Sequence, residues 1–157
     1  MPMNDFLLVG ELLNGRSGHE AGRQLLEKLY REYTGQECPE ILAADRGKPY
    51  FAGNPVYFSI SHTPRYVFCA LSDRPIGIDA EETGRQVNLK LADKILSPAE
   101  KARFDGTREA LLRLWVLKEA AAKYTGEGLR GYPNHTDFDP NDPRIQEIDG
   151  CFVAVIT

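Results

Sequence analysis

Two short stretches of this chain carry residues that could do chemistry together. Gly77-Ile-Asp-Ala-Glu81 sets two carboxylates, Asp79 and Glu81, two residues apart behind a short apolar run. Trp115-Val-Leu-Lys-Glu-Ala-Ala-Ala-Lys123 sets a Trp, a Glu and a Lys at successive i, i+4 positions. On a strand, residues i and i+2 project from one face. On a helix, residues four apart are neighbours. Asp79, Glu81 and Glu119 together would suit a hard cation such as Mg²⁺, which takes oxygen ligands and often substrate phosphates as well. Lys123 would add an ammonium for phosphate, and Glu119 could serve as ligand or general base. A cation, a positioned base and a phosphate-binding amine are what metal-assisted phosphoryl transfer needs. A plainer reading stands beside it. Asp79 and Glu81 could lie in a solvated loop, and Glu119 with Lys123 could be an ordinary helix pair. Spacing alone leaves both open.

A second set of residues could bind phosphate. Gly47-Lys48-Pro49 sits in a turn-rich loop, where Gly and Pro fix a bend and Lys48 extends a cation. Ser61 and His62 end the apolar run Tyr57-Phe-Ser-Ile-Ser-His62, and strand ends often deliver site residues. No Gly-x-Ser-x-Gly elbow accompanies them, which argues against a Ser–His–Asp hydrolase. The histidines 19, 62 and 135 are isolated from one another, which argues against a histidine metal site.

The elements that must position these groups follow from the apolar spacing. Residues 6–13 predict a strand, and 17–33 a helix with Ala21, Leu25, Leu26, Leu29 and Tyr33 on one face and Gly35 as its stop. Residues 45–55, dense in Gly, Pro, Asn and Asp, predict a loop. Strands are predicted at 56–60, 66–71 and 75–81. Ser97-Pro-Ala-Glu100 has the form of a capping box with Pro in the first turn. Residues 107–124 predict the strongest helix, ended by Gly126. Residues 126–150 read as loops, and 151–156 as a closing strand. This order predicts an α+β fold.

The chain has 157 residues, 42% hydrophobic and 27% charged, which excludes a disordered chain and fits one compact unit. It has no apolar run of about 20 residues to span a membrane. The first residues lack the basic start and long apolar region of a signal peptide. Cys38, Cys69 and Cys151 are widely spaced and odd in number, as expected of free thiols in a reducing cytoplasm. Net charge is −4, but residues 82–118 hold eight basic and five acidic side chains. That basic middle could dock an acidic partner or simply solvate helix surfaces.

In this order, Gly47-Lys-Pro49, Tyr57-Phe-Ser-Ile-Ser-His62, Pro75-Ile-Gly-Ile-Asp-Ala-Glu81, Leu96-Ser-Pro-Ala-Glu100 and Trp115-Val-Leu-Lys-Glu119 with Lys123 resemble the 4′-phosphopantetheinyl transferase superfamily, most closely its surfactin-synthetase-activating type. The resemblance covers residues 47–125. It implies two similar small α/β halves packed side by side, a shortened one at 1–76 and one at 77–157, with the active site at their junction. It implies transfer of the phosphopantetheine arm of coenzyme A to a serine of an apo acyl or peptidyl carrier protein, with release of adenosine 3′,5′-bisphosphate. Asp79, Glu81 and Glu119 would then hold Mg²⁺, with Glu119 and Lys123 catalytic. Lys48, Ser61 and His62 would contact coenzyme A phosphates, with Arg46 the candidate for the 3′-phosphate. The expected protein is a cytoplasmic monomer with no nucleic-acid or membrane partner. The alternative is a weak or silent homologue that binds coenzyme A or a carrier as an accessory module, and an unrelated Mg²⁺ phosphohydrolase is a third reading.

Overall fold

The computed structural model describes residues 6–127 and 136–157. Its elements alternate as expected of a mixed α/β protein. Strand β1 (Phe6–Leu12) leads to helix α1 (Gly18–Thr34), and the short strands β2 (Ile41–Ala43) and β3 (Pro49–Phe51) follow. Strands β4 (Tyr57–His62), β5 (Tyr66–Ser72) and β6 (Gly77–Glu82) come next. Then come a 3₁₀ turn at Leu89–Leu91, helices α2 (Ala92–Ile95), α3 (Pro98–Arg103) and α4 (Arg108–Thr125), and strands β7 (Ile145–Ile148) and β8 (Cys151–Ile156). No described helix is long and apolar enough to cross a membrane.

Two three-stranded antiparallel sheets dominate, in the orders β1-β5-β4 and β6-β8-β7. Each carries one long helix. Helix α1 lays Ala21, Leu25, Leu26, Leu29 and Tyr30 against Phe58, Val67, Cys69 and Leu71 of the first sheet. Helix α4 lays Leu112, Val116, Leu117 and Ala120 against Phe152, Ala154 and Ile156 of the second. The opposite faces share a core in which Phe68 and Ala70 meet Ile76, Ile78, Ala80, Val153 and Val155. At about 1.5–3 kcal/mol for each large side chain fully buried, this shared core ties the two sheets firmly together.

The stops at Gly35 and Gly126 and the capping box at Ser97 match the sequence reading, while Ser17, read as the first helical residue, is the cap of α1. Ser17 caps α1 through the Glu20 N–H, and Gly35 closes it at φ 72°. Ser97 and Glu100 form the reciprocal capping box on α3. Gly126 ends α4 at φ 77°. Three expectations need correcting. Tyr33 is exposed, and Tyr30 takes the place expected of it on the buried face of α1. The region 45–55 is not simply loop, because Ile41–Ala43 and Pro49–Phe51 pair as a small hairpin, with Pro49 at its edge. The stretch 126–150 includes strand β7, which pairs with β8 despite its polar residues. In that stretch 128–135 lie outside the described residues.

Candidate active site

Strand β6 presents Asp79 and Glu81 toward α4. In register they lie opposite Ala154 and Phe152 of β8, which pack under that helix. Their neighbours Ile78 and Ala80 turn the other way, into the shared core. The helix can approach this closely because residue 77 is glycine. A Cβ at Gly77 would stand 2.2 Å from the Ala120 carbonyl oxygen and 2.3 Å from the Tyr124 nitrogen, both backbone atoms that cannot swing aside. This contact sets the last two turns of α4, with Glu119 and Lys123, beside Asp79. Trp115, one turn earlier, packs against Val87, Ile95, Leu96, Leu111 and Leu114 and fixes the helix on its other side.

Asp79 is the centre of the arrangement. It is 7% exposed. Its Oδ1 accepts from the Ser61 hydroxyl at 3.2 Å and lies 3.4 Å from Lys123 Nζ. Its Oδ2 is buried and has no hydrogen-bond partner among the described residues. Burial pushes the Asp79 carboxyl up to about 7; Lys123 pulls it down, Glu81 and Glu119 push it further up, and the Ser61 bond pulls it down. Glu119 is raised as well, first by burial, with Lys123 opposing and Glu81 adding to the rise. Glu81 pairs with Arg85, four residues on. Lys123 also donates to the Ile60 carbonyl at 3.2 Å, so the amine bridges β4 and β6.

Among the described residues, no three His, Cys, Asp or Glu side chains form a ready metal cluster. The donor chemistry nevertheless fits a hard divalent cation. An orphaned buried carboxylate oxygen lies where the neighbouring charges of Glu81 and Glu119 help push the Asp79 carboxyl up, and an added positive charge would relieve both.

The groups expected to hold phosphate are divided by the structure. A cavity of about 270 Å³ is lined by Arg46, Lys48, Pro49, Phe58, Glu119 and Lys123, among others, and so joins the hairpin loop to α4. Lys48 reaches across it and donates to the Tyr124 carbonyl at 2.7 Å, near the C-terminal end of α4, and burial lowers its proton affinity. Arg46 is exposed on the same rim. His62 is elsewhere. It is exposed, packs over Gly18 at the start of α1, and lines a second cleft of about 830 Å³ with Arg65, Glu81 and Arg85. Ser61 departs furthest from expectation. The residue is 4% exposed and its hydroxyl is committed inward, accepting from the Ala80 N–H at 3.0 Å while donating to Asp79. A phosphate in the cavity would find that hydroxyl already engaged.

Sequence reasoning missed Ser59 and Arg85. Ser59 accepts from the Ile78 N–H at 3.0 Å, and its two-residue spacing from Ser61 was the available signal. Arg85 follows Glu81 by four residues, a spacing looked for on helices and passed over in a loop. Lys118 and Glu100 were also not recognised as partners. They form a 2.8 Å ion pair with side chains 0% and 1% exposed.

Part of the chain matches known proteins. Residues 75–152 match the 4′-phosphopantetheinyl transferase superfamily. The chain is 36% identical over 89 residues to the 4′-phosphopantetheinyl transferase Sfp of Bacillus subtilis, a match covering 53% of this chain and 39% of that protein. It is 34% identical over 114 residues to the 4′-phosphopantetheinyl transferase AcpT of Escherichia coli, covering 68% and 56%. It is 32% identical over 133 residues to the 4′-phosphopantetheinyl transferase psf-1 of Bacillus pumilus, covering 78% and 50%. The chain thus spans between about two fifths and three fifths of these relatives. The matched region runs from the residues just before β6 into β8 and holds Asp79, Glu81, Glu119 and Lys123 together, and through it the chain belongs to the 4′-phosphopantetheinyl transferase superfamily.

Proposed function

We propose that this chain is a Mg²⁺-dependent 4′-phosphopantetheinyl transferase that moves the phosphopantetheine arm of coenzyme A to a serine of an apo acyl or peptidyl carrier protein. The observation that carries the reading is the orphaned Oδ2 of Asp79, buried among Glu81, Glu119 and Lys123 beside a cavity rimmed with cations. Asp79, Glu81 and Glu119 would hold Mg²⁺, which neutralises charge on a pyrophosphate.

In this reading the carrier serine oxygen forms a bond to the phosphorus that bears the pantetheine arm. The bond from that phosphorus to the bridging oxygen breaks, and adenosine 3′,5′-bisphosphate leaves with the electron pair. Glu119 takes the serine proton, directly or through one water. Its raised proton affinity suits a base at neutral pH. Lys123 stabilises charge on the transferring phosphoryl group and leaving oxygen. Lys48 and Arg46 grip phosphates from the hairpin side, and His62 contacts a phosphate at the mouth of the second cleft. The basic stretch 82–118 would face the acidic carrier. A sheet-plus-helix unit at 1–76 and another at 77–157 correspond to two similar halves, with the site at their junction. The expected setting is the cytoplasm, as a monomer.

The test combines the protein with coenzyme A, Mg²⁺ and a panel of apo carriers, followed by mass spectrometry. The expected result is a gain of one phosphopantetheine arm, lost in Glu119→Ala. One observation favours the accessory-module reading: Arg85 already pairs with Glu81, and Lys123 with Asp79. Binding of coenzyme A or carrier with no mass gain would support that reading and overturn the transferase. Release of phosphate from simple phosphoesters without any carrier would point instead to a hydrolase.

A further inference from the structure

The two sheets meet where an edge strand of each lies beside the other, β4 from the first and β6 from the second. One side of β6 pairs with β8. The N–H groups of Ile78 and Ala80 point away from that ladder, and a buried N–H without a partner is costly. Two serine hydroxyls of β4 meet this need, Ser59 accepting from Ile78 and Ser61 from Ala80, both at 3.0 Å. Both serines are nearly closed to solvent, at 6% and 4% exposed. To this point they are equivalent.

They differ in the hydroxyl proton. Ser61 gives its proton to Asp79 Oδ1. Lys123, anchored on the carbonyl of the neighbouring Ile60, approaches the same oxygen. Two groups tied to β4 therefore converge on Oδ1, and Oδ2 is left without a partner among the described residues. We infer that Ser61 is a positioning residue, which fixes the Asp79 carboxylate through Oδ1 so that Oδ2 is presented to a divalent cation. The inference rests on the reading that Asp79 is a cation ligand. A donor that orients a ligating carboxylate typically changes metal affinity by about 10–100-fold when removed. The role also explains why the serine is buried and turned away from the cavity that its strand lines.

Ser59 supplies the control, because Ser59→Ala removes the same kind of backbone partner without touching Asp79. The experiment titrates Mn²⁺ alone into each protein and reads free metal by electron paramagnetic resonance, with unfolding midpoints recorded in parallel. Ser61→Ala and Ser59→Ala should lower the midpoint by similar amounts. Only Ser61→Ala should weaken Mn²⁺ binding by about 10-fold or more. Ser61→Thr, which keeps the hydroxyl, should restore most of that affinity. Should alanine at 61 fail to fold, Ser61→Cys keeps the shape but donates weakly, and the same loss is expected of it. Asp79→Asn separates this inference from the reading beneath it. If Asp79→Asn keeps full Mn²⁺ affinity, Asp79 is not a ligand and both fall. If Asp79→Asn loses Mn²⁺ while Ser61→Ala or Ser61→Cys keeps it, or if Ser59→Ala loses as much as Ser61→Ala, the positioning role alone falls.

Discussion

Helix α4 carries two lysines five residues apart, each paired with a buried acid, and the pairs are built in opposite ways. Lys118 meets Glu100 at 2.8 Å with both side chains out of solvent. Nearly every polar atom there has a partner. Glu100 Oε1 also accepts from the Ser97 N–H, Oε2 accepts from the Phe138 N–H at 2.7 Å, and Lys118 donates to the Thr136 carbonyl at 2.7 Å. Lys123 meets Asp79 at 3.4 Å, is 36% exposed, and leaves one carboxylate oxygen buried and bare. The first pair joins α3, α4 and the segment around Phe138 into one body. The second leaves bonding capacity unused at the end of a cavity. The contrast teaches that burial of an ion pair does not mark a functional site. Incomplete satisfaction of a buried pair is what asks for a further explanation, because a buried polar atom without a partner is costly to the fold.

The contrast is broken most directly at Lys118. Lys118→Met keeps the shape of the side chain but strands Glu100 without its counter-ion, which should destabilise by about 3–5 kcal/mol. Urea unfolding at pH 7 measures this, and a loss under about 1 kcal/mol would remove the distinction between the pairs. Lys123→Gln should invert the pattern. Transfer to a carrier should fall by roughly 10²-fold, as expected for one donor facing developing charge. Stability should move by less than about 1 kcal/mol, because the amine is a third exposed and screened. Turnover close to the parent's would return Lys123 to the role of a surface pair.

Much of this was legible in the sequence, for reasons the structure makes plain. Strand and helix periods place Asp79 with Glu81 and Glu119 with Lys123 on single faces, and the helix ends at Gly35, Ser97 and Gly126 follow from local backbone chemistry. What could not be read was which way a side chain is committed across a long sequence separation. Ser61 looked like a site residue because it ends an apolar strand, and the resemblance implied a phosphate contact; its partners on β6 lie 18 and 19 residues away. The Lys118–Glu100 pair could not be read because Glu100 belongs to another helix. The β2–β3 hairpin was hidden because a three-residue pairing carries almost no period. Strand β7 was hidden because an edge strand need not be apolar on both faces.

Asp79 offers a sharper test through pH. Its carboxyl is raised to about 7 in the folded protein, against 3.8 when free, chiefly by burial. Between those values the folded chain holds a proton that the unfolded chain has released. Stability therefore falls as pH rises from about 4 to about 7, and this contribution stays lost above that range. Asp79→Asn cannot ionise, so it should unfold at higher urea than the parent at pH 8, by on the order of 2 kcal/mol, and should lose most of that advantage at pH 4. Glu119 is raised in the same direction, so the comparison must be parent against variant at each pH, not one protein across pH. The variant should also be inactive in transfer. A variant less stable than its parent at pH 8 would mean that the buried carboxylate is well satisfied after all, and Asp79 would join Glu100 on the structural side.

The smallest expected effect belongs to Lys48, which shares features of both pairs. Like Lys118 it donates to a backbone carbonyl at 2.7 Å, and like Lys123 it lines the cavity. Its partner, Tyr124, sits in the last turn of α4, where the helix end is negative and a cation contributes about 0.3–1 kcal/mol. Its aliphatic stem rests against Gly126, where even an added Cβ would meet Lys48 Cδ at 3.1 Å. Lys48→Met keeps that stem and removes only the ammonium. If the amine grips a coenzyme A phosphate equally in ground and transition states, KM for coenzyme A should rise by about 5-fold while kcat stays within about 2-fold. Stability should drop by no more than about 1 kcal/mol, the worth of one charged bond at a helix end. A fall in kcat with KM unchanged would place Lys48 with Lys123, on the charge that develops during transfer. A loss of stability with both constants unchanged would place it with Lys118, as a tie between the hairpin and α4.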